Sequence, residues 1–264
     1  MSQIISIHSF RGGTGKSNTT ANLAALLAAR GLRVGVVDTD LNSPGIHIPF
    51  NLNLEGADIG FLLNDFLWGN CDIVEAVYDV TGMLTTATSA NSVQAVSGQI
   101  LLVPASIQPG DITRLLRDGY DVGLLNDGFD DLLEGLDLDV LLVDTHPGLS
   151  NETLLSIAIS DLLLITMRPD HQDYQGTAVT VEVARKLNVP NMQLIINKMP
   201  QVYDFADVRR RVEKLYNCPV AAILPHSDEM MTLASQGVFV LHYPHHAITK
   251  ELSHIVDSQI LRLS

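Results

Sequence analysis

Residues 11–18, Arg-Gly-Gly-Thr-Gly-Lys-Ser-Asn, bring together side chains suited to gripping a polyphosphate. Gly12, Gly13 and Gly15 lack a Cβ, so successive backbone N–H groups can curl around an anion. Lys16 is spaced to reach the outer phosphates, and the Ser17 hydroxyl to ligate Mg²⁺. Thr14 and Asn18 complete the loop. The chemistry requires a strand before the loop and a helix after it. Residues 4–7 form a short apolar alternation, and residues 19–30 are rich in Ala and Leu at helical spacing. A helix opening near Lys16 adds its unpaired N–H groups and the positive end of its dipole. The competing reading is a glycine turn that merely caps a helix. Phe10 stands where the usual phosphate loop has its first glycine, and the loop opens on a cation, Arg11.

Further acidic residues fall at the ends of apolar runs. Residues 33–37 read as a strand ending in Asp38-Thr39-Asp40, and residues 139–143 as a strand running into Asp144-Thr145-His146-Pro147-Gly148. In an open parallel sheet, ligands sit outside the carboxyl ends of strands, so these segments and the glycine loop should converge on one crevice. There Asp144 suits the carboxylate that supports Mg²⁺ in a nucleotide hydrolase, and Asp40 could orient the attacking water, with Asp38 near the metal. Residues 145–148 would form a loop sensing the γ-phosphate. The plainer alternatives are a turn-capping Asp144 and a turn-forming Asp38/Asp40 pair before Pro44-Gly45.

Stepping outward, residues 17–30 should form a helix ended by Gly31, and residues 99–104, 161–167, 192–197 and 220–224 strands. Helical spacing marks residues 58–68, 73–78, 111–117, 130–136, 151–159, 175–187, 204–216, 229–235 and 248–263; residues 41–49 read as loop, and 83–97 resist assignment. Continuously apolar strands alternating with helices predict an α/β fold, a mostly parallel, doubly wound sheet with helices on both faces. No linker or repeat interrupts it, so residues 1–264 are expected to form a single domain.

The 264 residues suffice for a substantial core. The net charge is −14, which opposes nucleic acid and anionic lipid on average. The distribution is uneven: residues 1–160 hold 6 Lys/Arg against 19 Asp/Glu, whereas residues 161–264 hold 10 against 11. The start shows no signal-peptide pattern, and Cys71 and Cys218 match no metal spacing, which predicts a cytoplasmic protein with incidental thiols.

The chain resembles the ParA/MinD family of deviant-Walker ATPases along nearly its whole length. The family's Lys-Gly-Gly-x-Gly-Lys-Ser/Thr is matched by residues 11–17, with Arg11 in place of the signature lysine. Its switch I Asp-x-Asp is similar to residues 38–40, and its switch II Asp-x-x-x-Gly to residues 144–148. Asn197-Lys198 looks like the adenine-contacting pair, and Leu224-Pro225-His226-Ser227-Asp228 like the adenine-side loop. Residues 236–240 and Tyr243-Pro244 are similar to the family's C-terminal pattern. The resemblance implies ATP and Mg²⁺ as ligands, and a homodimer sandwiching ATP at its interface. It also implies an adaptor that stimulates hydrolysis, and a cargo positioned or partitioned in the cell. The signature cation would reach the partner's phosphates; Arg11 keeps the charge but presents a planar fork. The branch that positions carboxysomes, McdA, also departs at that lysine.

Family members differ in the surface their dimer binds. The segment 204–216 places Phe205, Val208, Val212 and Leu215 on one stripe and Arg209, Arg210, Arg211 and Lys214 elsewhere. Such a face could hold DNA phosphates without reading sequence, giving nucleoid association in the ATP form. The alternative is a solvated face offset by Asp207 and Glu213. A MinD-like membrane regulator is the second functional reading, but residues 247–264 carry only Lys250 and Arg262 against Glu251 and Asp257, unlike a basic anchor. A metabolic P-loop enzyme or metal-cluster carrier is the third, and the carrier lacks a Cys-x-x-Cys pair.

Overall fold

The computed structural model describes residues 2–56, 59–86 and 97–262. Its centre is one eight-stranded sheet: β1 (Gln3–His8), β2 (Arg33–Asp38), β3 (Tyr78–Asp79), β4 (Gln99–Val103), β5 (Val140–Asp144), β6 (Leu162–Met167), β7 (Met192–Met199) and β8 (Val220–Pro225). The order is β3-β4-β2-β5-β1-β6-β7-β8, with every pairing parallel except β3 against β4. The expected mostly parallel α/β architecture is therefore present.

The inner strands are apolar on both faces because helices cover both. Ile5 and Ile7 of β1 pack with Leu23 and Leu27 of α1 (Lys16–Ala28). The same cluster takes Phe239 of α10 (Phe239–His242) and Ile248, Leu252 and Ile255 of α11 (Ala247–Ile255). Ile4, one residue over, faces the opposite layer, with Leu63 of α2 (Leu63–Leu67) and Phe129 and Leu132 of α5 (Gly123–Gly135). A third cluster joins β6 and β7 to Ile157 of α6 (Asn151–Ala158), Val181 and Ala184 of α7 (His171–Lys186), and Val212 and Tyr216 of α8 (Phe205–Tyr216). The remaining α-helices among the described residues are α3 (Met83–Thr86), α4 (Pro109–Asp118) and α9 (Asp228–Leu233).

Several boundaries differ from the sequence expectation, for physical reasons. The helix expected over 58–68 shrinks to α2, and Asp58 lies outside the described residues. Leu62 is extended, its N–H taken by the Asp65 carboxylate at 3.0 Å, and the Leu63 N–H is drawn to the Pro104 carbonyl at 3.0 Å. The segment 73–78 splits into a 3₁₀ turn (Ile73–Ala76) and the edge strand β3, paired with Leu101 and Leu102. Helix α4 begins earlier than expected, at Pro109, and α5 runs back to Gly123. Helix α7 also begins early, because Asp170 caps it by accepting the Asp173 N–H at 2.9 Å. The last helix widens into a π-helical turn over Val256–Ile260; Leu263 of that expected helix lies outside the described residues.

This topology sets the functional crevice. From β1 the chain goes first to one side, where β2 and β4 lie beyond β5, and later to the other, where β6, β7 and β8 follow in order, so the carboxyl end of β1 lies where the connections diverge. The register places Asp38 beside Asp144, and Asp144 beside Ile7.

Candidate functional site

Strand β1 ends at His8, and the chain turns through the glycine loop into α1 at Lys16. Gly13 and Gly15 have φ of +77° and +96°, values a side chain would strain. A Cβ on Gly12 or Gly13 would meet nothing within 4 Å, so the cradle is open on its concave side. On Gly15 it would drive into the amide of Asn197. Helix α1 has no side-chain cap and no acidic residue in its first turn, which leaves its N–H groups for an anion. Lys16 is only 7% exposed, so its ammonium is held at the loop. Distant residues pin the loop's rim. The Thr14 and Thr166 hydroxyls are 3.0 Å apart, Asn197 donates to the Thr14 carbonyl at 2.8 Å, and Lys198 Nζ to the Gly13 carbonyl at 2.9 Å. Phe10, where a glycine is usual, packs its ring on Gly176 of α7, an approach only glycine permits. Arg11 donates from its guanidinium to Gln172 in the first turn of α7.

The carboxylates converge as the sequence implied. Asp144 is buried and raised to about 6. Burial is the main cause, opposed by Lys16 and by hydrogen bonds from Ser17 and Thr20, and assisted by Asp40. Asp38 is fully buried beside it and lies well above the usual range, through burial first and then Asp144 and Asp40. Both Asp38 oxygens also hold the following loop, accepting N–H groups of Asp40 at 3.0 Å and Gly45 at 3.1 Å. Asp40 accepts from the Ser43 N–H and hydroxyl, each at 3.2 Å. Two buried acids that resist ionising side by side are a poor arrangement alone and a good one around a cation. Ser17, Asp144 and Asp38 therefore fit a divalent ion beside a phosphate, whose charge would return both carboxyls to their ionised form.

Beside the cradle lies a cavity of about 550 Å³. Asn197, Lys198, Pro225 and His226 line one wall, and Met230, Met231, Ile248 and Leu252 supply apolar surface. Asn18 lines it too, donating to the Ser235 hydroxyl at 3.1 Å. Polar rim, apolar wall and adjacent phosphate cradle together fit a nucleoside triphosphate.

The cations of α8 are less free than their count suggests. Arg209 turns inward and donates to the Val220 carbonyl at the start of β8. Arg210 and Arg211 both pair with Asp207, at 3.2 and 2.6 Å. Lys214 is exposed.

One residue in the crevice, His8, escaped the sequence reading, and a second, His146, was expected only as part of the 145–148 loop. His8 is completely buried at the end of β1. The Thr145 hydroxyl donates to the Ile7 carbonyl at 3.0 Å, so His8 Nδ1, 2.8 Å away, donates to Thr145 Oγ1. Burial, then Lys16 and His146, lower its pKa to about 3, which keeps it neutral. His146 lies 3.8 Å from Asp40. A lone histidine ending an otherwise apolar strand was the available signal for the first; nothing in spacing marked the second.

The profile of the ParA family, described as NUBPL iron-transfer P-loop NTPase, matches residues 1–260. An uncharacterized ATP-binding protein of Methanocaldococcus jannaschii is 26% identical over 245 residues, covering 92% of this chain and 82% of that protein. Among solved structures, the cell division ATPase MinD of Pyrococcus furiosus superposes with a TM-score of 0.78 at 22% identity, covering 100% of both chains. The McdA(D38A)–ATP complex of Cyanothece gives 0.75 at 17%, covering 97% of this chain and 95% of that one. With the phosphate cradle, the paired aspartates and the family profile in agreement, the chain belongs to the ParA family of P-loop NTPases.

Proposed function

We propose that this protein is an ATP-binding and ATP-hydrolysing dimerisation switch that positions or partitions an intracellular cargo through ATP-dependent, nonspecific DNA binding. The observation that carries the reading is the meeting of Lys16, Ser17, Asp144 and Asp40 at the carboxyl ends of central strands, beside a cavity sized for a nucleotide. Gly12 to Asn18 wrap the phosphates. Ser17, Asp38 and Asp144 hold Mg²⁺, which supplies charge neutralisation on the transferring phosphoryl group. Asp40 orients water. Asn197, Lys198, Pro225 and His226 take the base. Two such chains sandwich ATP, with Arg11 of each reaching across, and an adaptor accelerates hydrolysis.

The DNA surface has the thinner support. Arg210, Arg211 and Lys214 are exposed, and a dimer doubles them. The membrane alternative is weakened by α11, whose Ile248, Leu252 and Ile255 are buried in the core. Among the described residues no helix is long and apolar enough to cross a membrane. Iron transfer, the activity in the family description, finds little in this chain. It has two cysteines, both with thiols raised to about 11 by burial, and no Cys-x-x-Cys pair.

The test is a DNA mobility shift with ATP and with ADP, beside liposome sedimentation and a phosphate-release assay. The expected result is slow hydrolysis and a DNA shift with ATP alone. A shift indifferent to nucleotide, or binding to liposomes only, would falsify the DNA claim; absence of ATP binding overturns the whole reading.

A further inference from the structure

His146 occupies the second position of the loop that follows β5, and its backbone and side chain serve different neighbours. The carbonyl accepts the Thr153 hydroxyl at 3.3 Å, and Thr153 belongs to the first turn of α6, capped by Ser150. The preceding residue is fixed from below: Thr145 donates to the Ile7 carbonyl and receives the His8 N–H. The main chain at 145–146 is thus clamped between β1 and α6. The ring projects from this clamp toward the other loop, with Nε2 3.8 Å from Asp40 Oδ1. That separation lies within ion-pair reach but outside hydrogen-bond range. Nδ1 is buried and has no hydrogen-bond partner among the described residues. On its far side His146 lines a cavity of about 90 Å³ with Thr39, Leu41, Tyr120 and Glu152. The backbone on either side of Asp40 is anchored, by Thr39 on the Asp144 carbonyl and by the buried Leu41 and Ile46, whereas the hydrogen bonds of Asp40 itself among the described residues go to residues close in sequence, Asp38 and Ser43.

We propose that His146 is a positioning residue, a strut that sets Asp40 by joining the 40–46 loop to the first turn of α6. Its ring stands against the Asp40 carboxylate in the nucleotide-free chain, limiting where that carboxylate can sit, and so sets the oxygen that orients the water. The strut rests on the ATPase reading for its consequence but not for its existence, because the geometry is already present without nucleotide.

The experiment compares His146→Leu, which removes the ring nitrogens, with His146→Gln, whose amide can restore a donor toward Asp40. In the nucleotide-free full chain, hydrogen–deuterium exchange across residues 39–46 should rise about tenfold in the Leu variant and return near wild type in the Gln variant, the size of coupling seen between contacting side chains. With Mg-ATP, the Leu variant should lose about tenfold or more in kcat while KM stays within about twofold, as for an interaction made in the transition state. On an Asp40→Asn background the same change should cost less than about twofold. Unchanged exchange in the Leu variant overturns the strut. An equal kcat loss with and without Asp40 shows that His146 acts elsewhere and overturns the assignment. Wild-type protein that binds but does not hydrolyse ATP refutes the ATPase reading alone, and the exchange comparison still decides the strut.

Discussion

Changing Asp144 to Asn turns the electrostatics of the crevice into a measurable pH dependence. In the folded chain without nucleotide, the Asp144 carboxyl titrates near 6 instead of 3.8. A raised carboxyl pKa means the folded state holds the proton more tightly than the unfolded chain. The stability it contributes is complete below pH 3.8 and is lost as pH rises through about 6. A shift of roughly two units corresponds to about 3 kcal/mol once both states are ionised. About half of that is already lost near pH 5, so about 1.5 kcal/mol remains to disappear between pH ~5 and pH ~8. Asparagine keeps an acceptor for Thr20, carries no charge, and relieves Asp38 of its nearest like neighbour. Urea denaturation in EDTA should therefore show the stability of D144N relative to wild type climbing by about 1.5 kcal/mol across that window. Mg-ATP at about a hundredfold excess over its Kd should then stabilise wild type by about 2.7 kcal/mol and the variant far less. Parallel pH profiles for the two proteins would refute the argument, because they would mean that burial and the paired acids impose no cost in the absence of the cation.

Other consequences follow from contacts already described. Gly15→Ala forces a side chain into a backbone at φ +96° and against Asn197. It should cost about 1–3 kcal/mol of stability and abolish nucleotide affinity measured by titration calorimetry. Arg209→Ala should lower thermal stability, since it uncaps the Val220 carbonyl, by about 1–2 kcal/mol, while the double change of Arg210 and Arg211 to Ala leaves the melt unchanged and weakens the ATP-dependent DNA shift. Gly128→Ala should destabilise by about 1–3 kcal/mol in a denaturant melt, because its Cβ would meet Ile73 at 2.7 Å and Phe66 at 2.9 Å.

The sheet was legible because its strands are buried on both faces. Val140-Leu141-Leu142-Val143 cannot be an amphipathic helix, and the acid that ends it marks the carboxyl end of the strand. Strand β3 was not legible: two residues carry no period, and only pairing with Leu101 and Leu102 makes them a strand. The start of α5 was hidden by Gly123 and Gly128, residues that lower helix propensity, yet Gly128 is there because Ile73 and Phe66 press on it. In the site, the glycine loop and the strand-end aspartates were legible from local spacing. His8 was not, because its meaning depends on Thr145, 137 positions away. The α8 arginines were legible as charges, and Asp207 as their offset, but the inward turn of Arg209 onto the Val220 carbonyl was not, since it depends on a strand eleven positions away.

The proposed reach of Arg11 across a dimer would start from a contact within its own chain. Its guanidinium is committed to a neutral acceptor, Gln172, at the exposed start of α7. A hydrogen bond from a charged donor to a neutral amide contributes about 1.5–3 kcal/mol where it is shielded and less where water competes, as here. A bidentate pair with a phosphate is roughly twice as strong per bond and gains further from exclusion of water at a dimer interface. In the proposed dimer, exchange of Gln172 for a phosphate across the interface would therefore be downhill only with nucleotide and partner both present. Lys198 and Asn197 behave alike: in the empty cradle they hold the Gly13 and Thr14 carbonyls, which fixes the loop's shape before any ligand arrives. The loop is thus preorganised by neutral or carbonyl partners at every rim contact, none of which competes with a triphosphate for charge. Preorganisation of this kind puts the cost of ordering the loop into folding, so nucleotide binding can be expressed as dimerisation.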